Sequence, residues 1–212
     1  MTILKTEKTI QAYNKNATKY KEKFNDFSPY KKKIIEFQDQ FIPKGARILD
    51  LGCGPGNNIT TIKSLDDSCQ FTGIDLSEGL LAIAKKIHPS CEFINQNICD
   101  LSAKGLELYE AVIASFCIVH LDNEETVNVL KFISESLVQG GSLYLSFMEG
   151  TVSGFETTSF STEEIYFNYY QLDYVLGLLK ENDLIPKMIS KEDYLEQDGS
   201  ITSDIFIYAL KE

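Results

Sequence analysis

ILDLGCGPGNN, Ile48 to Asn58, sets three glycines and a proline directly behind a short apolar run. Glycine loses more conformational entropy on folding than any other residue. Gly52, Gly54 and Gly56 together signal a place where the backbone turns tightly or must lie bare. The stretch before them, ARILDL, reads as a compact buried strand, and NNITTIKSL after them as a helix. A glycine-rich turn between strand and helix stands beside unpaired helix N–H groups and the positive end of a helix dipole. A carboxylate or phosphate fits there.

Outward from the turn, the pattern alternates. CQFTGID, CEFIN, YEAVIASF and SLYLSF read as strands. SEGLLAIAKKI, capped by Ser77, reads as a helix, as does DNEETVNVLKFISESLV. The latter has Asp122 as N-cap with Glu125 three residues on, a close variant of the capping box, and Gly140 and Gly141 as its stop. Near-continuous apolar strands between amphipathic helices imply a parallel sheet covered on both faces. QLDYVLGLLKEND is a further helix. LIPKMISKEDYLE and ITSDIFIYALK are extended, and Asp198 and Gly199 between them signal a hairpin, so an antiparallel pair ends the sheet. Upstream, Ile10, Tyr13, Ala17, Tyr20 and Phe24 have helical spacing, and a second helix opens with Ser28 as N-cap and Pro29 at its first position. Residues 149–170, rich in Ser, Thr and aromatics, show no clear period and read as a loop or lid over the ligand cleft.

The dinucleotide fingerprint G-x-G-x-x-G fails in both registers: Asn57 occupies the sixth place counted from Gly52, and Ile59 the sixth counted from Gly54. Asp75 ends the next strand, nineteen residues after Gly56. A carboxylate there can accept both hydroxyls of a ribose through charge-assisted bonds. Its structural alternative is a strand end before the helix capped by Ser77.

The bulk numbers narrow the classes. A chain of 212 residues suits one domain with a sizeable core. A formal net charge of -11 repels phosphate backbones, so no nucleic-acid partner is expected. The first 33 residues nevertheless hold nine lysines against three acids, which reads as a solvated helix face or a local site for an anion. Five cysteines without C-x-x-C spacing argue for a reducing compartment and against a disulfide framework or a zinc site. The opening MTILKTEKTI lacks the apolar core of a secretion signal, and the longest apolar stretch, near AVIASFCIV, is too short for a membrane span. A soluble cytoplasmic protein is the expectation.

With these residues in view, the chain resembles the class I S-adenosylmethionine-dependent methyltransferases. ILDLGCGPG resembles the family's first motif, GIDLS the second, INQNICDL the third, YEAVIASFCIVHL the strand bordering the active site, and LVQGGSLYLSF the segment of the fifth strand. The resemblance implies a Rossmann-like α/β fold with a seven-stranded sheet in the order 3-2-1-4-5-7-6, the seventh strand antiparallel, and helices on both faces. It implies S-adenosyl-L-methionine as cofactor, S-adenosyl-L-homocysteine as product and a small-molecule methyl acceptor. The expected organisation is an N-terminal helical cap over 1–42, the cofactor-binding core over 43–148, a substrate-side insertion or lid over 149–170, and a C-terminal helix with the completing hairpin over 171–212.

By the same resemblance Asp50, Gly52, Cys53, Gly54, Pro55 and Gly56 shape the pocket for the methionine part. Asp75 binds the ribose and Leu76 packs on the adenine. Asn97 and Ile98 stand where the family often has an acid followed by a small or apolar residue, with Asp100 as the other candidate for the adenine amino group. Ser115 and Phe116 face the methyl donor, and Tyr20 on the first helix folds over it. His120 is the candidate general base, set against a histidine that only closes a strand end. Phe155, Tyr166 and Tyr169, from a segment that also holds Phe160 and Tyr170, are candidate substrate contacts. His88 reads as a helix-end residue. Two alternatives remain: a module that binds the cofactor without turnover, and a nicotinamide-dependent oxidoreductase, which the broken fingerprint and the antiparallel end disfavour.

Overall fold

The computed structural model describes residues 2–25, 27–105, 107–195 and 201–212. The first half of the chain forms α1 (Thr2–Phe24), α2 (Ser28–Phe41), β1 (Arg47–Leu51), α3 (Asn57–Leu65), β2 (Gln70–Asp75), α4 (Glu78–Ile87) and β3 (Glu92–Asn95). The second half forms β4 (Tyr109–Ser115), α5 (Asn123–Ser136), β5 (Leu137–Glu149), β6 (Ser153–Thr158), β7 (Ser161–Asn168), α6 (Leu172–Glu181), β8 (Leu184–Leu195) and β9 (Ile201–Lys211). Short 3-10 turns follow β3 at Ile98–Asp100 and β4 at Ile118–His120.

Seven strands make one sheet in the order β3-β2-β1-β4-β5-β9-β8. β1 to β5 pair in parallel, and β9 runs antiparallel to both β5 and β8. With β6 and β7 set aside as a separate hairpin, this is the expected order 3-2-1-4-5-7-6. The turn carrying Asp198 and Gly199 lies outside the described residues, but the pairing of Leu195 with Ile201 joins the two strands that flank it.

The period-2 alternation of the strands sorts the core into two layers. Leu49, Leu51, Val112, Ala114, Leu143, Leu145, Ile205 and Ile207 face α5 and α6. Ile48, Ala111, Ile113, Tyr144, Phe206 and Tyr208 face α2 and α3 through Phe37, Ile59 and Ile62. Each fully buried side chain of this size contributes roughly 1.5–3 kcal/mol relative to exposure. The sheet is therefore rigid, and its carboxyl edge is a firm platform. α1 crosses that edge. Asn14 Oδ1 accepts from the Ser77 hydroxyl (2.8 Å) and the Gly79 N–H (2.9 Å) at the start of α4. Lys5, buried, pairs with Glu125 (2.6 Å) and Asp122 (3.2 Å) at the start of α5.

Four sequence expectations change. Residues 149–170 are ordered: β6 and β7 form an antiparallel hairpin, a register that local alternation did not reveal because both its faces are mixed. α5 ends at Ser136, before the glycines, because Leu137 is already buried and paired with Tyr109 in the sheet. Gly140 and Gly141 instead lie within β5, where the pairing with β4 shifts register. Phe27 rather than Ser28 is the N-cap of α2, and no side chain caps it. The expected caps Ser77 and Asp122 are present, the latter in a complete capping box with Glu125.

Candidate active site

The turn after β1 is left-handed at Gly52, Gly54 and Gly56, with φ of 64°, 54° and 82°. A side chain is excluded there for two different reasons. A Cβ on Gly52 would lie 2.6 Å from Cys117 Cβ, and one on Gly56 would lie 2.9 Å from His88 Cδ2. Those two glycines are packed against protein. Gly54 alone of the three has its nearest neighbour at an ordinary 3.8 Å, the Tyr20 ring edge; both Gly52 and Gly54 line the large cavity. His88 is more than a helix end: its Nε2 lies 2.8 Å from the Thr60 hydroxyl and 3.3 Å from the Gly56 carbonyl, bracing the turn from behind.

Asp75 closes the turn from the second strand. Its Oδ2 accepts the Gly54 N–H and its Oδ1 the Ser77 N–H, each at 2.8 Å. Burial raises its pKa, and the backbone N–H groups of Ser77, Gly54 and Leu76 oppose that rise. Each carboxylate oxygen retains a lone pair for a further donor. Asp50 lies deeper, wholly buried beneath the turn and outside the cavity lining. Burial pushes it up to about 8; the Asn58 side chain opposes this, yet neither carboxylate oxygen makes a complete hydrogen bond. Cys53 is buried, and burial raises its thiol well above the ordinary value, so it packs rather than reacts.

The cavity measures about 1140 Å³. At one side Leu76, Gln96, Asn97 and Ile98 line it, whereas Asp100 does not. Asn97 Oδ1 caps the 3-10 turn by accepting the Cys99 N–H at 3.1 Å. Ser115 and Phe116 line the floor. Phe116 has φ of 51°, a conformation that costs a non-glycine residue about 1–2 kcal/mol. Its N–H bonds both the carbonyl and the hydroxyl of Ser146, each at 3.1 Å, and these hold it there.

The cover comes from α1 and the β6–β7 hairpin. Tyr13, Tyr20, Phe24 and Phe160 form one aromatic cluster over the cleft, with Tyr20 and Phe160 edge-to-face at 5.1 Å. His120 lines the cavity beneath them; its Nδ1 lies 2.8 Å from the Tyr166 carbonyl oxygen and its Nε2 3.0 Å from the Tyr13 hydroxyl. A carbonyl only accepts, so Nδ1 carries the hydrogen and Nε2 accepts from Tyr13. Burial pushes this imidazole down to about 4.

Of the three aromatic residues expected at the acceptor, Tyr169 lines the cavity. Phe155 and Tyr166 do not: they pair with each other at 5.7 Å, beneath the ammonium groups of Lys8 and Lys5. Alternation along a hairpin sends neighbours to opposite faces, and these two take the outer one. Tyr170 is core, its hydroxyl donating to the carbonyls of Leu121 and Ile118. Gln96, Asn57, Tyr30, Tyr194 and Asp204 line the cavity without having been singled out from the sequence. Asp204 left a trace there, as the one acid in the otherwise apolar and hydroxylic run ITSDIFIYAL. Among the described residues no group of three or more His, Cys, Asp or Glu could hold a metal ion, and no helix is long and apolar enough to cross a membrane.

A family model described as a methyltransferase domain matches residues 48–141. The carboxy-S-adenosyl-L-methionine synthase of Campylobacter concisus is 28% identical over 133 residues, covering 62% of this chain and 56% of that one. The chain spans about half the length of the curated relatives it matches. Among solved structures, the 1,6-didemethyltoxoflavin-N1-methyltransferase of Burkholderia thailandensis superposes with a TM-score of 0.72 at 13% identity, over 97% of this chain and 88% of that one. An S-adenosylmethionine-dependent methyltransferase of Clostridium acetobutylicum gives 0.70 at 17% identity, over 93% and 98%. The structural likenesses establish the fold, and the matched segment contains the glycine turn and Asp75. Residues 48–141 match the methyltransferase domain model, and the chain has the fold of the S-adenosylmethionine-dependent methyltransferase structures on which it superposes.

Proposed function

We propose that this chain transfers the methyl group of S-adenosylmethionine to a small-molecule acceptor by in-line displacement, leaving S-adenosylhomocysteine. The observation that carries the reading is one continuous cavity of about 1140 Å³ joining the glycine turn and Asp75 to His120 and on to Asp204. A single drug-sized site takes roughly 300–1,000 Å³, so this space suits a cofactor together with a small acceptor.

The residues present fit the cofactor. Asp75 has acceptor capacity left for the ribose hydroxyls. Asn57 Oδ1 is buried without a hydrogen-bond partner, an acceptor for the ammonium of the methionine part. Leu76 and Ile98 offer apolar walls for the adenine. Asn97 Oδ1 keeps a second lone pair for the adenine amino group. When bound, S-adenosylmethionine supplies an electrophilic sulfonium methyl. The protein's contribution is then to align the acceptor and exclude water. Such alignment supplies on the order of 7–11 kcal/mol of barrier lowering.

His120 is poorly suited to take a proton directly at neutral pH, since burial holds it near 4 and Tyr13 occupies its free nitrogen. Its role is to hold the Tyr13 hydroxyl with the proton turned away, so that the Tyr13 oxygen accepts from whatever lies in the cavity. The net charge of -11 favours a small molecule over nucleic acid as acceptor. Calorimetric titration with S-adenosylhomocysteine and with NAD tests the cofactor. Micromolar or tighter binding of the first and none of the second are expected; the reverse would overturn the reading. Label transfer from methyl-labelled cofactor to a panel of small nucleophiles then tests turnover.

A further inference from the structure

Beyond Phe116 the cavity reaches a corner built by α2 and the terminal hairpin. Asp204 lines it, 3% exposed, with Oδ2 accepting the Tyr30 hydroxyl at 2.8 Å. Tyr194 lines the same corner from β8, opposite Thr202, and its hydroxyl is buried with no hydrogen-bond partner. The walls are aromatic: Tyr30 packs on Phe27 at 4.7 Å and on Phe116 at 4.8 Å. Asp204 reaches this place because β9 runs antiparallel. Its first residues enter the sheet at the edge where β5 ends, and Asp204 pairs with Met148.

A buried carboxylate among ring faces is chemistry that holds a nitrogen cation. Ring faces carry negative quadrupole density, and the carboxylate adds counter-charge and a charge-assisted bond. The orphaned Tyr194 oxygen accepts one further N–H. Lys23 and Lys31 also line the cavity, but both are exposed, where solvent and salt screen them. We infer that the acceptor carries an ammonium-type group, held by Asp204, Tyr194 and the rings of Tyr30 and Phe116, at a position apart from the atom that is methylated. The two positions differ because a protonated nitrogen has no lone pair with which to attack. The inference rests on the proposed methyl transfer and narrows its acceptor class.

The test is calorimetry on the whole chain saturated with S-adenosylhomocysteine, using three matched probes: phenethylammonium, 2-phenylethanol and phenylacetate. The cation is expected to bind at least tenfold more tightly than either other probe. Asp204→Asn is expected to remove at least tenfold of that affinity, and Tyr194→Phe a few-fold. Both are expected to bind S-adenosylhomocysteine within twofold of the parent. Tyr194→Phe removes one hydroxyl and keeps the ring, so it serves if Asp204→Asn does not fold. A cation bound no better than 2-phenylethanol, or unaffected by the substitutions, overturns the inference and leaves the methyl transfer standing. Failure of the parent chain to bind S-adenosylhomocysteine overturns both.

Discussion

The Tyr13 hydroxyl and His120 Nε2 lie 3.0 Å apart, and the other nitrogen of the same ring is 2.8 Å from the Tyr166 carbonyl oxygen. One neutral tautomer satisfies both contacts. A nitrogen-resolved NMR titration is expected to show His120 protonated on Nδ1 and titrating near 4. The folded pKa is depressed below the ordinary 6.5. The unfolded chain therefore binds the proton first as pH falls. The stability from burying the neutral ring is complete above 6.5 and is lost as pH drops towards 4. A His120 signal titrating above 6 would refute the arrangement.

Asp75 ties Gly54 to Ser77 through two 2.8 Å bonds while facing the cavity. Asp75→Ala is expected to cost about 1–3 kcal/mol in stability, because it leaves buried N–H groups without acceptors. It is also expected to weaken S-adenosylhomocysteine binding by tenfold or more. Urea denaturation reads the first and calorimetry the second. Unchanged affinity in a folded variant would remove Asp75 from the cofactor site.

The three turn glycines are expected to respond unequally. Gly54→Ala meets nothing closer than 3.8 Å, so it should fold. Its left-handed backbone costs about 1–2 kcal/mol, which lowers Tm by roughly 2–8 °C in a chain of this size. Its methyl group intrudes on the cavity and should weaken S-adenosylhomocysteine binding. Gly52→Ala drives a Cβ to 2.6 Å from Cys117 and should melt well below Gly54→Ala. Equal melting temperatures would contradict the packing at Gly52.

Asp50, held up to about 8 by burial, is protonated at neutral pH. An acid whose folded pKa stands above its unfolded value of 3.8 contributes stability that is complete below 3.8 and is lost as pH rises through about 8. Asp50→Asn, uncharged at every pH, should lose less of its urea midpoint than the parent between pH 5 and pH 9. Parallel curves for the two chains would show that Asp50 is ionised throughout.

Lys5 joins α1 to the start of α5 through Glu125 at 2.6 Å and Asp122 at 3.2 Å. Lys5→Met keeps the buried stem and removes the charge. Hydrogen exchange in α1 is expected to quicken in this variant while the strands of the sheet keep their protection. Uniform exchange across both would show that α1 does not open separately.

Most of the sheet was legible along the chain. Strand and helix periods, the caps at Ser77 and Asp122 and the glycine turn are local features written within a few residues of where they act. They placed the turn beside Asp75 and predicted the antiparallel end. The β6–β7 hairpin was not legible, because neither of its strands has one apolar and one polar face. The same limit misplaced Phe155 and Tyr166, whose outward turn depends on which side of the hairpin α1 covers.

The sequence by itself determined the order of the strands and helices other than β6 and β7, the bend after β1 and the acid at the end of β2, since each follows from neighbours in the chain. Tertiary structure alone decided that Tyr13 meets His120 across 107 positions, and that Tyr30 meets Asp204 across 174. It also decided that His88 braces Gly56. Those contacts depend on strand direction and on the packing of α1 and α2 against the sheet. No short-range period carries that information.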